Sequence, residues 1–167
     1  KVVEKALVTG EEIQFGSLMT LCHEKNAQLK LADPEYKGRI VFRGDIVRDV
    51  SGNLAVFSEQ GTSASRIEAA KMMDALSRCW FDEEECDGEE SDARSAYTQA
   101  LLGGCETYIT IPKEYWPASW KGKYTTPVVH LLRNLYGHPK AGLYWEQHCR
   151  EALLSFGWET VKGWECL

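Results

Sequence analysis

Residues 82–90 read Asp82-Glu83-Glu84-Glu85-Cys86-Asp87-Gly88-Glu89-Glu90, with seven acidic side chains and no basic one. Burying several unpaired carboxylates together costs more than a small domain can recover, so such a run belongs in water. It is expected to be an exposed loop, and the core must come from the segments on either side of it. The run also carries the charge imbalance of the whole chain. The net charge is −6 from 19 basic and 25 acidic residues; without the run, 19 basic residues face 18 acidic ones. With a pI near 5.3, the chain is not a generic basic wrapper for nucleic acid, for which a domain pI above ~9 is the usual footprint. Apolar residues at 44% and charged residues at 26% match globular averages, so an ordered fold is expected. At 167 residues it is one domain or a piece of one.

No apolar run approaches the ~20 residues that span a bilayer, so no membrane partner is expected. The start, Lys1-Val2-Val3-Glu4-Lys5, has neither the apolar centre nor the cleavage site of a signal peptide. It also lacks an initiator Met, and the chain reads as part of something longer. The six cysteines, at 22, 79, 86, 105, 149 and 166, are widely and irregularly spaced. Reduced, mostly buried thiols and an intracellular setting, cytoplasm or nucleus, follow. No C-x-x-C occurs, and Cys22-His23 and His148-Cys149 are adjacent pairs that cannot easily share one metal. A zinc site is disfavoured on that spacing.

Thr9 and Glu12 have capping-box spacing and predict a helix carrying Ile13, Leu18, Met19, Cys22 and Leu29, broken at Asp33-Pro34. Residues 39–43 and 54–57 read as strands joined through the turn signal Ser51-Gly52-Asn53, together a hairpin. Ser65 and Glu68 open a second expected helix, to about Cys79, with Ile67, Met72, Met73, Leu76 and Trp80 as core contacts. Residues 107–111 alternate as a strand stopped by Pro112, and 127–132 form another. Pro139 suits the first turn of a helix running to about Phe156, which Gly157 ends; a last strand is expected from Trp158. The order of elements is α+β, with an antiparallel sheet and packing helices.

Three segments carry chemistry. Lys37-Gly38-Arg39-Ile40-Val41-Phe42-Arg43-Gly44 sets Lys37, Arg39 and Arg43 at alternating positions, hence on one strand face. Cations so arranged repel unless an anion lies opposite; guanidinium forks match phosphate oxygens, though a solvated face is the plainer alternative. Asp92-Ala93-Arg94-Ser95-Ala96-Tyr97 follows the acidic run, where Asp92 by itself could be an ordinary turn or cap residue. Asn134-Leu135-Tyr136-Gly137-His138-Pro139-Lys140-Ala141-Gly142-Leu143-Tyr144-Trp145 is a strand-to-helix turn. There Gly137 permits close approach, either of a flat ligand or of a helix against a sheet.

Read together, these segments resemble the fingers and palm portion of copia-type (Pseudoviridae-like) retrotransposon reverse transcriptases. The family has a K-x-R-hydrophobic-V-x-R-G strand, a D-x-x-x-A-[FY] segment, a strand ending in Pro, and L-Y-G-x-x-x-A-x-x-x-W, in that order. Here these are Lys37 to Gly44, Asp92 to Tyr97, Tyr108 to Pro112, and Leu135 to Trp145. The resemblance implies fingers plus first palm part over 37–167, behind a lead-in over 1–36 that the capping box predicts to be helical. It implies templated DNA synthesis with an RNA or DNA template-primer, deoxynucleoside triphosphates and Mg²⁺, the remainder of a polyprotein or a larger assembly being a possible partner. Asp92 corresponds to the first metal-binding aspartate, on the strand that opens the palm, and the Ala93 carbonyl lies by the second ion. Tyr97 matches the ring under the incoming sugar. Lys37 and Arg39 match the cations that grip the triphosphate, and Gly137 the turn lining the nucleotide and template pocket.

The chain departs from the family in three places. Gly88-Glu89-Glu90-Ser91 precedes Asp92 where the family has an apolar strand. Gly137-His138-Pro139-Lys140-Ala141-Gly142 stands where G-L-K-Q-A-P is common, and the Y-V-D-D hairpin does not occur. One carboxylate cannot hold two metal ions, so this segment alone should not polymerise. Two other readings follow: a repurposed remnant acting as a structural or interaction module, or an unrelated acidic α+β binding domain.

Overall fold

A computed structural model describes residues 1–29, 33–57, 67–79 and 91–162. In chain order the elements are β1 (Val2–Glu4), β2 (Ile13–Glu24), β3 (Tyr36–Phe42), β4 (Arg48–Asp49), α1 (Ile67–Cys79), α2 (Ala96–Gln99), β5 (Glu106–Thr110), β6 (Pro127–His130) and α3 (Ala141–Ser155), with short 3₁₀ turns between. The result is a mixed α+β fold around one mostly antiparallel sheet. Its strand order is β1-β6-β5-β2-β3, with β4 also against β2, and β2–β5 is its parallel pair.

Residues 13–24, expected to be helical, are the central strand. Ile13 and Phe15 alternate on one face and are buried, as a period of two requires. Gly16 sits under the Phe42 ring, where any Cβ would collide with it. Pairing with three neighbouring strands outweighs the local Thr9–Glu12 signal, because strand preference is decided by packing rather than by intrinsic propensity. The helical expectation for the lead-in over 1–36 is therefore corrected at residues 13–24. β3 begins at Tyr36 and pairs with β2 from Glu24↔Tyr36 to Leu18↔Phe42.

The expected hairpin partner of 39–43 is likewise different. The turn at Ser51-Gly52-Asn53 is present, with Gly52 at φ +85° and Asp49 Oδ1 accepting from the Asn53 amide at 2.9 Å. It joins Arg48 to Leu54 in a single bridge instead of joining two long strands. β5, β6 and α3 lie within two residues of their expected positions. At the end of α3, Gly157 (φ +88°) donates to Leu154 O at 3.0 Å and Trp158 to Leu153 O at 3.2 Å, a left-handed cap that satisfies the last carbonyls. Residues 158–162 form no strand. Ser65, Trp80 and the acidic run fall outside the described residues. On α1, Met72 and Met73 are exposed, contrary to their expected core role.

The sheet has a core on each face. On one, Phe15, Tyr108 and His130 stand opposite one another across β2, β5 and β6. Ile13, Phe15 and Val128 are buried there under Val3 and Val8. On the other, Gly16, Ile109 and Val129 are aligned, and Phe42, Val47 and Ile109 are buried against Leu18, Phe57 and Leu135. Phe42 is 2% exposed, and burying such a ring contributes roughly 1.5–3 kcal/mol. Beyond β5, residues 18–24 of β2 and their β3 partners project as a two-stranded ribbon, on which Leu21, Ile40 and Tyr36 are exposed.

Candidate functional site

The turn between β6 and α3 organises the site. Its leading residues are bound edge to edge with the segment after α2: Leu102 N donates to Leu132 O at 3.1 Å and Asn134 N to Ala100 O at 3.0 Å. The Arg133 guanidinium adds a 2.6 Å bond to Gln99 O. Asn134, 1% exposed, uses its side-chain amide to donate to Ala141 O at 3.3 Å, tying the turn to the start of α3. α2 packs against α3, and Tyr144 lies across Gly103 and Gly104, where added Cβ atoms would stand 2.9 Å from its ring and 2.7 Å from its hydroxyl.

This backbone arrangement seats the Tyr97 ring on Tyr136, with centroids 4.8 Å apart. Tyr136 O in turn accepts the Phe42 amide at 2.7 Å. Gly137 has φ +88°, and a Cβ there would be driven into Phe42 O. A Cβ on Gly44 would meet Gly137 O and the Pro139 ring. Two glycines thus let the turn lie directly on the root of β3, as only residues without a side chain allow. His138 fills the remaining space, 5.0 Å from the Phe42 ring and 6.0 Å from Phe57. Its Nδ1 accepts from Lys140 N at 3.2 Å, which assigns the proton to Nε2, and Nε2 has no partner among the described residues. Burial, with the nearby Lys140 charge adding to it, pulls the imidazole down to a pKa of about 4, so it is neutral near pH 7.

Of the residues expected from the sequence, Tyr97 and Gly137 meet here through Tyr136. Lys37 and Arg39 lie further out on the ribbon, opposite His23 and Leu21, exposed and without an ion pair among the described residues. Arg43 is engaged by Asp45 at 2.9 Å, which holds that carboxyl below its usual range. The three cations expected on one face therefore divide into two free ones and one neutralised. Asp92 and Ala93 are exposed in a stretch without regular structure, which leads to Ser95 at φ 52° and then α2. The expected strand carrying Asp92 is absent from 91–95, consistent with the polar Gly88-Glu89-Glu90-Ser91 lead-in. Asp92 has no hydrogen bond or ion pair among the described residues, and these residues contain no group of three His, Cys, Asp or Glu able to hold a metal ion.

Sequence reasoning missed Tyr136, Asn134, His138 and Phe42 as the parts that build the site. A visible signal existed: an Asn and a His, both polar, flanking Leu-Tyr-Gly in an otherwise apolar turn. No helix among the described residues is long and apolar enough to cross a membrane. No family model matches the chain, and neither a curated protein nor a solved structure matches it with significance.

Proposed function

We propose that this chain is the fingers and first palm part of a copia-like reverse transcriptase, whose parent performs templated addition of deoxynucleotides. The observation that carries the reading is the convergence of Tyr97, Gly137 and the root of β3. These come from three sequence segments up to 95 positions apart, between Phe42 and Gly137, yet they meet in one contact set. In this reading Lys37 and Arg39 extend from that root and grip the triphosphate, whose oxygens suit their unpaired cationic groups. Tyr97 offers its ring to the sugar, and Tyr136 holds that ring from behind. Gly137 leaves room for the base and template backbone.

The Mg²⁺ that such chemistry uses does not fit the described residues by themselves. Asp92 is a single exposed carboxylate, and two-metal phosphoryl transfer needs further carboxylates beside it, which the described residues do not supply. The same observation favours the second reading, a remnant acting as an interaction module. Primer extension separates the two. The 167 residues alone extend no primer. Joined to a downstream palm segment carrying an Asp-Asp hairpin, they extend it, and Asp92→Asn abolishes extension in a folded protein. Retained extension in that variant refutes the role of Asp92. No extension from the joined wild-type protein favours the remnant.

A further inference from the structure

We propose that the loop from Pro112 to Tyr124, between β5 and β6, is a binding surface for single-stranded nucleic acid. The proposal stands whether or not the polymerase reading holds, since it uses none of the residues of that site.

The loop is built in advance. Pro112 and Pro117 each precede a 3₁₀ turn, Lys113–Tyr115 and Ala118–Trp120. The indole N–H of Trp116 donates to Ile111 O at 2.7 Å, and the amides of Trp116, Trp120 and Tyr124 close successive turns. A loop already ordered loses little conformational freedom on binding. On this frame the rings of Trp116, Trp120 and Tyr124 follow one another with centroids 6.4 and 6.0 Å apart. Their interplanar angles of 58° and 71° mean that they meet edge to face, bracing one another in the loop rather than stacking flat. All three are half-buried, and Tyr115 beside them is 55% exposed.

Cations alternate with the rings. Lys113 Nζ stands 5.9 Å from the centroid of Trp116, and Lys123 Nζ 5.4 Å from that of Tyr124. Lys121 lies between them, and none of the three lysines has an ion pair among the described residues. The loop is thus a local basic patch, with Glu114 its single acid, on a chain whose net charge is −6. The exposed Tyr115 ring on a braced aromatic loop, beside lysines that no described carboxylate neutralises, fits a base stacked on the ring and phosphates on the lysines, a pairing that an unpaired strand offers and a duplex hides. The parallel β2–β5 pairing sets the loop at the end of the sheet where β2 continues into the ribbon carrying Lys37 and Arg39.

The test is fluorescence anisotropy of a dye-labelled oligothymidylate of about 15 nucleotides titrated with the whole chain, at ~50 and ~200 mM salt. The single strand is expected to bind, more tightly at low salt and more tightly than a duplex of the same length. Lys121→Ala/Lys123→Ala should weaken binding at least about tenfold at low salt and lower the salt slope by about 1.4, at ~0.7 per phosphate contact on a single strand. Tyr115→Ala should weaken it roughly fivefold or more, and Tyr115→Phe should restore it, because the ring and not the hydroxyl stacks. These positions are exposed, so circular dichroism should be unchanged. Absence of single-strand binding overturns the proposal, as does wild-type affinity in the folded lysine variant. So does binding to phosphatidylserine vesicles that these substitutions abolish while leaving oligonucleotide affinity intact, which would mark a membrane surface.

Discussion

Replacing Gly137 by Ala should cost the fold more than any other glycine-to-alanine change in the described turns. Two independent penalties combine there. A residue with a Cβ at φ +88° is strained by roughly 1–2 kcal/mol. The new methyl also points into Phe42 O, so the turn must lift from the root of β3. Lifting it sacrifices the bond from Phe42 N to Tyr136 O, worth about 0.5–1.5 kcal/mol. The expected total is about 2–3 kcal/mol, before any loss of packing around Phe42. Two controls isolate the parts. Gly52 has φ +85° but open space around it, so Gly52→Ala pays the backbone term alone. Gly44 faces Gly137 O and Pro139 without a positive φ, so Gly44→Ala pays the steric term alone. Urea unfolding followed by tryptophan fluorescence gives the comparison, a loss of this size moving the midpoint by about 1 M or more for m near 2 kcal/mol/M. If Gly137→Ala unfolds at the same urea concentration as Gly52→Ala, the close approach of turn and strand is not there.

His138 predicts an acid weakness. Its folded pKa of about 4 lies below the unfolded value of 6.5, so between those limits the unfolded chain binds more protons and stability rises with pH. Stability is full above about pH 7 and should fall by about 2 kcal/mol on going to pH 5, and His138→Phe should flatten that slope; an unchanged slope in a folded variant defeats the assignment. Arg39→Ala, in an enzyme completed with the Asp-Asp hairpin, should raise the apparent KM for all four deoxynucleotides alike, by a factor matching about 1.5–3 kcal/mol. A lower melting temperature with unchanged KM would make Arg39 structural instead. Tyr97→Ala in the same enzyme should admit ribonucleotides while deoxynucleotide use falls only modestly. Because Tyr97 also supports Tyr136, circular dichroism must accompany the kinetics, and an unaltered sugar preference in a folded, active variant refutes the gate.

What could be seen in the sequence was local. Pro112, Pro127 and Gly157 bound their elements through backbone rules that act over a few residues, and β5, β6 and α3 lie where these rules set them. The Ser51-Gly52-Asn53 turn was visible for the same reason. β2 was not, because Thr9 and Glu12 imitate a helix start while the stabilisation of residues 13–24 comes from β3, β4 and β5, the last more than 80 positions away. Within the site, alternation placed Lys37 and Arg39 on one face, and the family resemblance singled out Tyr97 and Gly137. The contact that joins them was hidden. It runs through a main-chain bond from Phe42 to Tyr136, and main-chain atoms carry no residue identity that a sequence could display.

The parallel pairing of β2 with β5 has a consequence for the ribosome. Ile13 finds its partner Glu106 only 93 positions later, and Val2 its partner Val129 later still. At ~5–20 residues per second, β2 waits on the order of 5–20 s after synthesis before its parallel neighbour emerges. During that interval one edge is covered at once by β3, a local hairpin partner, and the other is bare. An uncovered strand edge at residues 13–17, bearing Ile13 and Phe15, is a template for intermolecular pairing. Nascent-chain solubility should therefore be poorest in truncations that end between β3 and β5, and recover once residue 130 has been made.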